Sequence, residues 1–133
     1  MKSYDKLFLY AFSFGGVVAA NSFGKNSPFN KIVLDSVPSR PSKVLGIKCS
    51  LSYSPVDKIG TLCSDLTFMH GTSDWVIGRR NTQELIEHIK NCGGELDVNK
   101  SRGHPFQIEW KSTSRARIKD VIGHFGLELV EVP

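Results

Sequence analysis

The sequence predicts an α/β domain: a mostly parallel sheet of about four or five strands flanked by helices. Three observations lead there. Short apolar runs alternate with helix-like segments, the pattern of successive βαβ units. Glycines punctuate the ends of the helical segments, at Gly24 and at Gly93-Gly94. The chain has 133 residues, 40% of them hydrophobic and 23% charged, the size and composition of one globular domain rather than two or a disordered chain.

Each element has its own signal. Residues 7–12 (LFLYAF) are an apolar, aromatic run that reads as a buried strand. Gly15-Gly16 opens a helix of small residues over 17–23, closed by Gly24. Residues 31–37 (KIVLDSV) read as a second strand, ended by Pro38. Residues 39–54, rich in Ser, Lys and Pro, read as a long connection, and Ser54-Pro55 supplies the cap and first position of a short helix through Leu62. Residues 65–70 (DLTFMH) are the third strand, followed by the polar turn Gly71-Thr72-Ser73-Asp74.

Asn81 with Glu84 three residues on resembles a capping box, and Leu85, Ile86 and Ile89 give the helix behind it an apolar stripe that Gly93-Gly94 stops. Residues 95–99 are a weak fourth strand. Ile118, Val121, Ile122 and Phe125 stand at i, i+3, i+4 and i+7, so a last amphipathic helix is expected over 114–126. The tail 127–132 (LELVEV) has strand character.

Seventeen Lys and Arg against thirteen Asp and Glu leave +4, spread along the chain rather than gathered in a polybasic arm. The basic C-terminal residues Lys100, Arg102, Lys111, Arg115, Arg117 and Lys119, near Trp110, read as a solvated face, so no nucleic-acid partner is expected. Three cysteines (Cys49, Cys63, Cys92) make an odd count with no CxxC pair. That disfavours a disulfide scaffold or zinc knuckle and suits a reducing compartment, so a cytoplasmic location is expected. The apolar stretch 7–20 falls short of the about 20 residues that span a bilayer, and no membrane partner is expected. It also has some likeness to a signal peptide, with Lys2 and Lys6 before it and Val18-Ala19-Ala20 at its end, but Asp5 and Gly15-Gly16 speak against that. No metal-ligand spacing, phosphate loop or dinucleotide fingerprint appears, so neither metal nor cofactor is expected.

Three loops carry chemistry. In Ala11-Phe12-Ser13-Phe14-Gly15-Gly16 a serine stands at a strand-to-helix junction. A nucleophile elbow needs this arrangement: a strained turn lifts Oγ above the sheet edge, and small residues two before and two after it (Ala11, Gly15) let helix and strand approach. The helix N-terminus behind Ser13 favours developing negative charge. Asp74 lies in the loop after the third strand, and His104 in Gly103-His104-Pro105-Phe106 after the fourth. Loops at the carboxyl ends of parallel strands face one crevice, where a serine, a base and an orienting acid can meet. His70, His88 and His124 read as structural, solvated and helix-end residues in turn, and Asp35 as a substitute for Asp74.

On these residues the chain from Leu7 to about Gly126 resembles the C-terminal half of an α/β-hydrolase. AFSFGG departs from G-x-S-x-G only at Ala11, and HGTSDWVIG followed by an amphipathic helix, a strand and GHPF is similar to that family's acid and histidine loops. The resemblance implies a single truncated hydrolase-like domain over 1–133. Ser13 would be the nucleophile, His104 the general base and acid, Asp74 the orienting acid, and the backbone N–H of Phe14 one oxyanion-hole donor. It implies an esterase-like serine hydrolase acting on small carboxylic esters or related acyl compounds. Strands that would precede residue 7 in the family, and the loop giving a second oxyanion donor, have no counterpart here. One such donor is worth about 2.7–4 kcal/mol of transition-state stabilisation, so weak catalysis is expected. The first strand would then lie at a sheet edge, and a homodimer is expected through that edge or face, or through the tail. The competing expectations are an inactive interaction module on the same fold and one half of a split hydrolase.

Overall fold

The computed structural model describes residues 4–23, 27–41, 54–105, 111–128 and 130. Strands β1 (Phe8–Phe12), β2 (Lys31–Asp35), β3 (Leu66–Gly71) and β4 (Glu95–Asn99) form one sheet in the order β1-β2-β3-β4, and every neighbouring pair is parallel. Helices α1 (Ser13–Ser22), α2 (Pro55–Lys58), α3 (Arg79–Cys92) and α4 (Lys111–His124) flank it.

Alternation along the strands divides the core between the two faces. Ala11, Ile32, Leu34, Leu66 and Phe68 pack with Val17 and Ala20 of α1, Val56 of α2 and Leu85 and Ile89 of α3. Their neighbours in the strands, Val33 and Met69, face the other way and meet Val121 of α4, with Tyr10 and Phe125 against them. Phe8 stacks on Phe125 at 4.9 Å between ring centroids. The second apolar cluster is small, and charged groups share its face.

Several boundaries differ from expectation for local reasons. Helix α1 begins at Ser13, so strand and helix meet with no loop between them. The glycine that permits the packing of α1 is Gly16, where a Cβ would fall 2.1 Å from Cγ2 of Val37. At Gly15 a Cβ would meet nothing within 4 Å, so the space expected of that residue is not used. Strand β2 stops at Asp35 because Ser36 turns the chain with φ +53°. The expected helix through Leu62 ends at Lys58 and continues as two 3-10 turns, Ile59–Thr61 and Cys63–Asp65.

The capping box at Asn81 is corrected. Helix α3 starts at Arg79 behind Gly78, and Asn81 lies inside it with its side-chain amide donating to the Ile77 carbonyl. The carbonyl of Asp74 accepts from the Gly78 amide, so the loop is already wound when the helix begins. Gly93, at φ +87°, ends α3 as expected. Of the expected tail strand, Leu127, Glu128 and Val130 are not in a strand, and the rest lies outside the described residues, as do Gly24, Cys49, residues 42–53, Phe106 and Trp110.

The reading of the cysteines against a disulfide is also corrected: Cys63 and Cys92 form one across 29 residues, joining the 3-10 turn before β3 to the last turn of α3. Structural disulfides persist in oxidising surroundings, so the cysteines no longer speak for a reducing compartment. Among the described residues no helix is long and apolar enough to cross a membrane. Closing a loop of this length restricts the unfolded chain by about 3–4 kcal/mol. Denaturant unfolding of the oxidised protein and of Cys92→Ser is expected to differ by roughly that amount, and equal midpoints would remove the disulfide from the stability of this fold.

Candidate active site

The parallel register ends β1 at Phe12 and β2 at Asp35, which are paired across the sheet, and β3 at Gly71 opposite Asn99 of β4. Ser13, at the β1–α1 junction, and the loops holding Asp74 and His104 therefore leave the sheet at one edge. Ser13 follows β1 directly with φ +50°, in the left-handed region that a non-glycine residue occupies only when its surroundings enforce it. Its backbone opens α1, so the positive end of that helix lies behind it. A cleft of about 330 Å³ opens at this turn, lined by Tyr10, Ala11, Phe12, Ser13, Phe14 and Gly15. The side chain of Phe14 is 55% exposed.

Asp74 is held by its own loop. Its Oδ1 accepts from the amides of Val76 at 3.0 Å and Ile77 at 2.9 Å, which fixes the carboxylate and leaves Oδ2 for His104. His104 Nδ1 lies 2.9 Å from that oxygen, and both residues are buried. Burial alone would push the Asp74 carboxyl up. Hydrogen bonds from His104 and the Ile77 amide outweigh it and hold the group below its ordinary value, so it is a carboxylate at neutral pH. A carboxylate on Nδ1 favours the tautomer with its proton there and leaves Nε2 as the nitrogen with the lone pair. Nε2 is buried too. Among the described residues no hydrogen bond links Ser13 to His104. The structure thus joins acid and histidine, and brings the serine to the same edge without that bond.

The acid and histidine loops are tied together. Thr72 Oγ1 and Ser73 Oγ donate to the Lys100 carbonyl at 3.2 and 2.7 Å, and the Thr72 amide to that of Asn99 at 3.0 Å. Gly71 faces the Arg102 carbonyl so closely that a Cβ would stand 1.7 Å from its oxygen, and no other residue fits there. Two members of the expected solvated basic face are in fact buried: Arg102 is 5% and Arg117 7% exposed. Arg102 pairs with Asp97 at 3.0 Å and Asp120 at 2.8 Å, and Arg117 with Asp35 and with the Gly103 carbonyl. Helix α4 accordingly buries Arg117 with Val121, while Ile118 of the expected stripe is 54% exposed.

Asp35 is committed elsewhere and does not stand in for Asp74: its Oδ2 also accepts from the Tyr10 hydroxyl at 2.8 Å. The neighbouring carboxylate, after burial itself, raises the Tyr10 phenol above its ordinary value. His88 is exposed, and His124 lies 2.9 Å from Asp97. Among the described residues no group of three or more His, Cys, Asp or Glu side chains gathers as a metal site.

No protein-family model matches the sequence, and no curated protein matches it. Solved structures do. An acylaminoacyl peptidase of Pyrococcus horikoshii superposes with TM-score 0.72 at 14% identity, over 98% of this chain and 25% of the peptidase. The esterase domain of a Rhodothermus marinus protein gives 0.68 at 18% identity, over 90% of this chain and 58% of that one. An esterase of Pyrococcus furiosus gives 0.65 at 17% identity, over 89% and 52%. This chain therefore has part of the α/β-hydrolase fold, and spans between a quarter and three fifths of the length of these three.

His70 is wholly buried, with Nε2 3.3 Å from Thr82 Oγ1. Burial lowers its pKa, against the pull of the Asp74 and Asp35 carboxylates. Below about 6.5 the unfolded chain takes up a proton that the folded chain refuses, so stability falls as pH drops through that value. Urea unfolding is expected to give lower stability at pH 5.5 than at pH 7.5, with the difference reduced in His70→Gln. An identical pH dependence in the two proteins would show that His70 does not carry it.

Proposed function

We propose that this chain is a serine hydrolase of small carboxylic esters or related acyl compounds. The observation that carries the proposal is the buried Asp74–His104 pair at the same sheet edge as a serine in left-handed backbone. Ser13 Oγ attacks the substrate carbonyl as His104 Nε2 takes its proton. His104 then gives that proton to the leaving group, and water, deprotonated by the same nitrogen, releases the acid and regenerates Ser13. Asp74 keeps the imidazole oriented and stabilises its charged form. The backbone N–H of Phe14, at the start of α1, is the one oxyanion donor assigned. The mainly apolar lining of the cleft beside Ser13 supports an uncharged acyl group. The names of the similar structures, a peptidase and two esterases, agree with acyl transfer.

A fluorophosphonate probe is expected to label the wild type and not Ser13→Ala, with Asp74→Asn slowed ~10⁴-fold by the wrong tautomer. A folded wild type that takes no label would overturn the reading and leave the inactive interaction module in its place.

Among the described residues β1 lies at the edge of the sheet, which supports a homodimer as part of the same proposal. Its outer backbone groups are a template for another strand, and Tyr4, Leu7 and Val18 add exposed apolar surface on β1's flanking segments. Light scattering behind size exclusion at micromolar concentration is expected to give twice the chain mass. A monomer would overturn the dimer without touching the chemistry.

A further inference from the structure

The strongest group outside the acid–histidine pair is the buried set around Asp35. On the sheet face covered by α4, its carboxylate collects three donors: the Tyr10 hydroxyl from β1, the Arg117 guanidinium from α4, and the Ser36 hydroxyl at 3.1 Å. Asp35 is fully buried and Arg117 nearly so. The second arm of the same guanidinium donates to the carbonyl of Gly103, the residue before His104. Ser36, strained at φ +53°, gives its one hydroxyl proton to Asp35.

We propose that Asp35 and Arg117 are positioning residues for the candidate site: they set His104 against Asp74 through the Gly103 carbonyl. The proposal rests on the hydrolase reading for its importance to catalysis, but the geometry stands without it. A guanidinium is suited to this task because its planar fork bonds two acceptors in fixed relative directions. Here one acceptor belongs to the sheet and the other to the histidine loop, so the fork transfers the position of β2 to His104. Arg102 fixes the same loop one residue earlier, by way of Asp97 and Asp120. With two successive residues tied, His104 has little freedom to leave Asp74. Misplacement by about 1 Å costs roughly 10²-fold in a reaction that depends on alignment.

The test uses the whole chain and variants that leave no lone buried charge. Asp35→Asn/Arg117→Met removes both charges together, Arg117→Lys keeps the charge but not the fork, and Tyr10→Phe takes one hydrogen bond from Asp35. Cooperative unfolding is checked for each. In ¹⁵N-histidine-labelled protein the His104 Nδ1–H signal, assigned by its absence in His104→Gln, reports the bond to Asp74.

The double variant is expected to lose that signal or exchange it at least tenfold faster. Ser13 labelling should slow about 10²-fold at saturating probe, with the half-saturating concentration unchanged. Arg117→Lys should recover about tenfold of the rate, and Tyr10→Phe should shift the signal in the same direction as the double variant. An unaltered signal in both the double variant and Tyr10→Phe would overturn the proposal. So would a loss of cooperative unfolding in the Asp35 and Arg117 variants together with an unchanged signal in folded Tyr10→Phe. A wild type that carries the His104 signal but takes no label would sink the hydrolase reading alone, and the signal would still decide the positioning role.

Discussion

Because every strand of this sheet runs in one direction, Phe12, Asp35, Gly71 and Asn99 all finish at one edge, and the chemistry of the molecule is concentrated in the loops that leave it there. Parallel pairing requires that each strand be joined to the next by a crossover, and each crossover begins with a loop at that edge. Ser13, Ser36, Asp74 and His104 each stand just beyond one of the four strands. Both serines have left-handed backbone, directly after neighbouring strands, where the chain must turn sharply out of the sheet. The strain at Ser13 is tolerable because β1 and α1 fix it from either side, Gly16 allowing the helix to lie against Val37.

The face under α4 is built differently from the face under α1, α2 and α3. The latter holds a large apolar cluster, whereas the former buries a few aliphatic and aromatic groups together with Asp35, Arg117 and Tyr10. Burying an ion pair usually gains little net stability over an apolar pair of the same volume, and breaking one by removing a single partner costs about 3–5 kcal/mol. Its worth lies in direction: apolar contacts let α4 slide, whereas two-armed bonding from Arg117 to a sheet carboxylate and a loop carbonyl fixes where the helix and the histidine loop sit.

Much of this was legible from the sequence because it depends on local pattern. Apolar runs found β1, β2 and β3, the weaker pattern of 95–99 found β4, and the glycine pair marked the end of α3; Ser13, Asp74 and His104 each follow the strand they were expected to follow. What was missed depends on residues far apart in the chain. Arg117 is paired with Asp35 across 82 positions, and nothing in the spacing of Ile118, Val121, Ile122 and Phe125 tells that a cation one residue earlier will be buried instead. The single hint was Asp35 itself, an acid at the end of a strand otherwise apolar, which needs a partner once buried. Cys63 and Cys92 meet only because α3 folds back beside the turn that precedes β3. The start of α3 was misplaced because Asp74 winds residues 74–78 with its own carboxylate and carbonyl, so the loop's hydrogen bonding, and not Asn81, decides where the helix begins.

The disulfide has a topological consequence. Its covalent ring runs from Cys63 through β3, the acid loop and α3 to Cys92, so Asp74 and the widely exposed Trp75 lie within a closed circle of chain. A backbone break at that turn opens the circle without separating the pieces. Both ends of the cut remain tethered near the sheet edge, one through β3 and the other through α3.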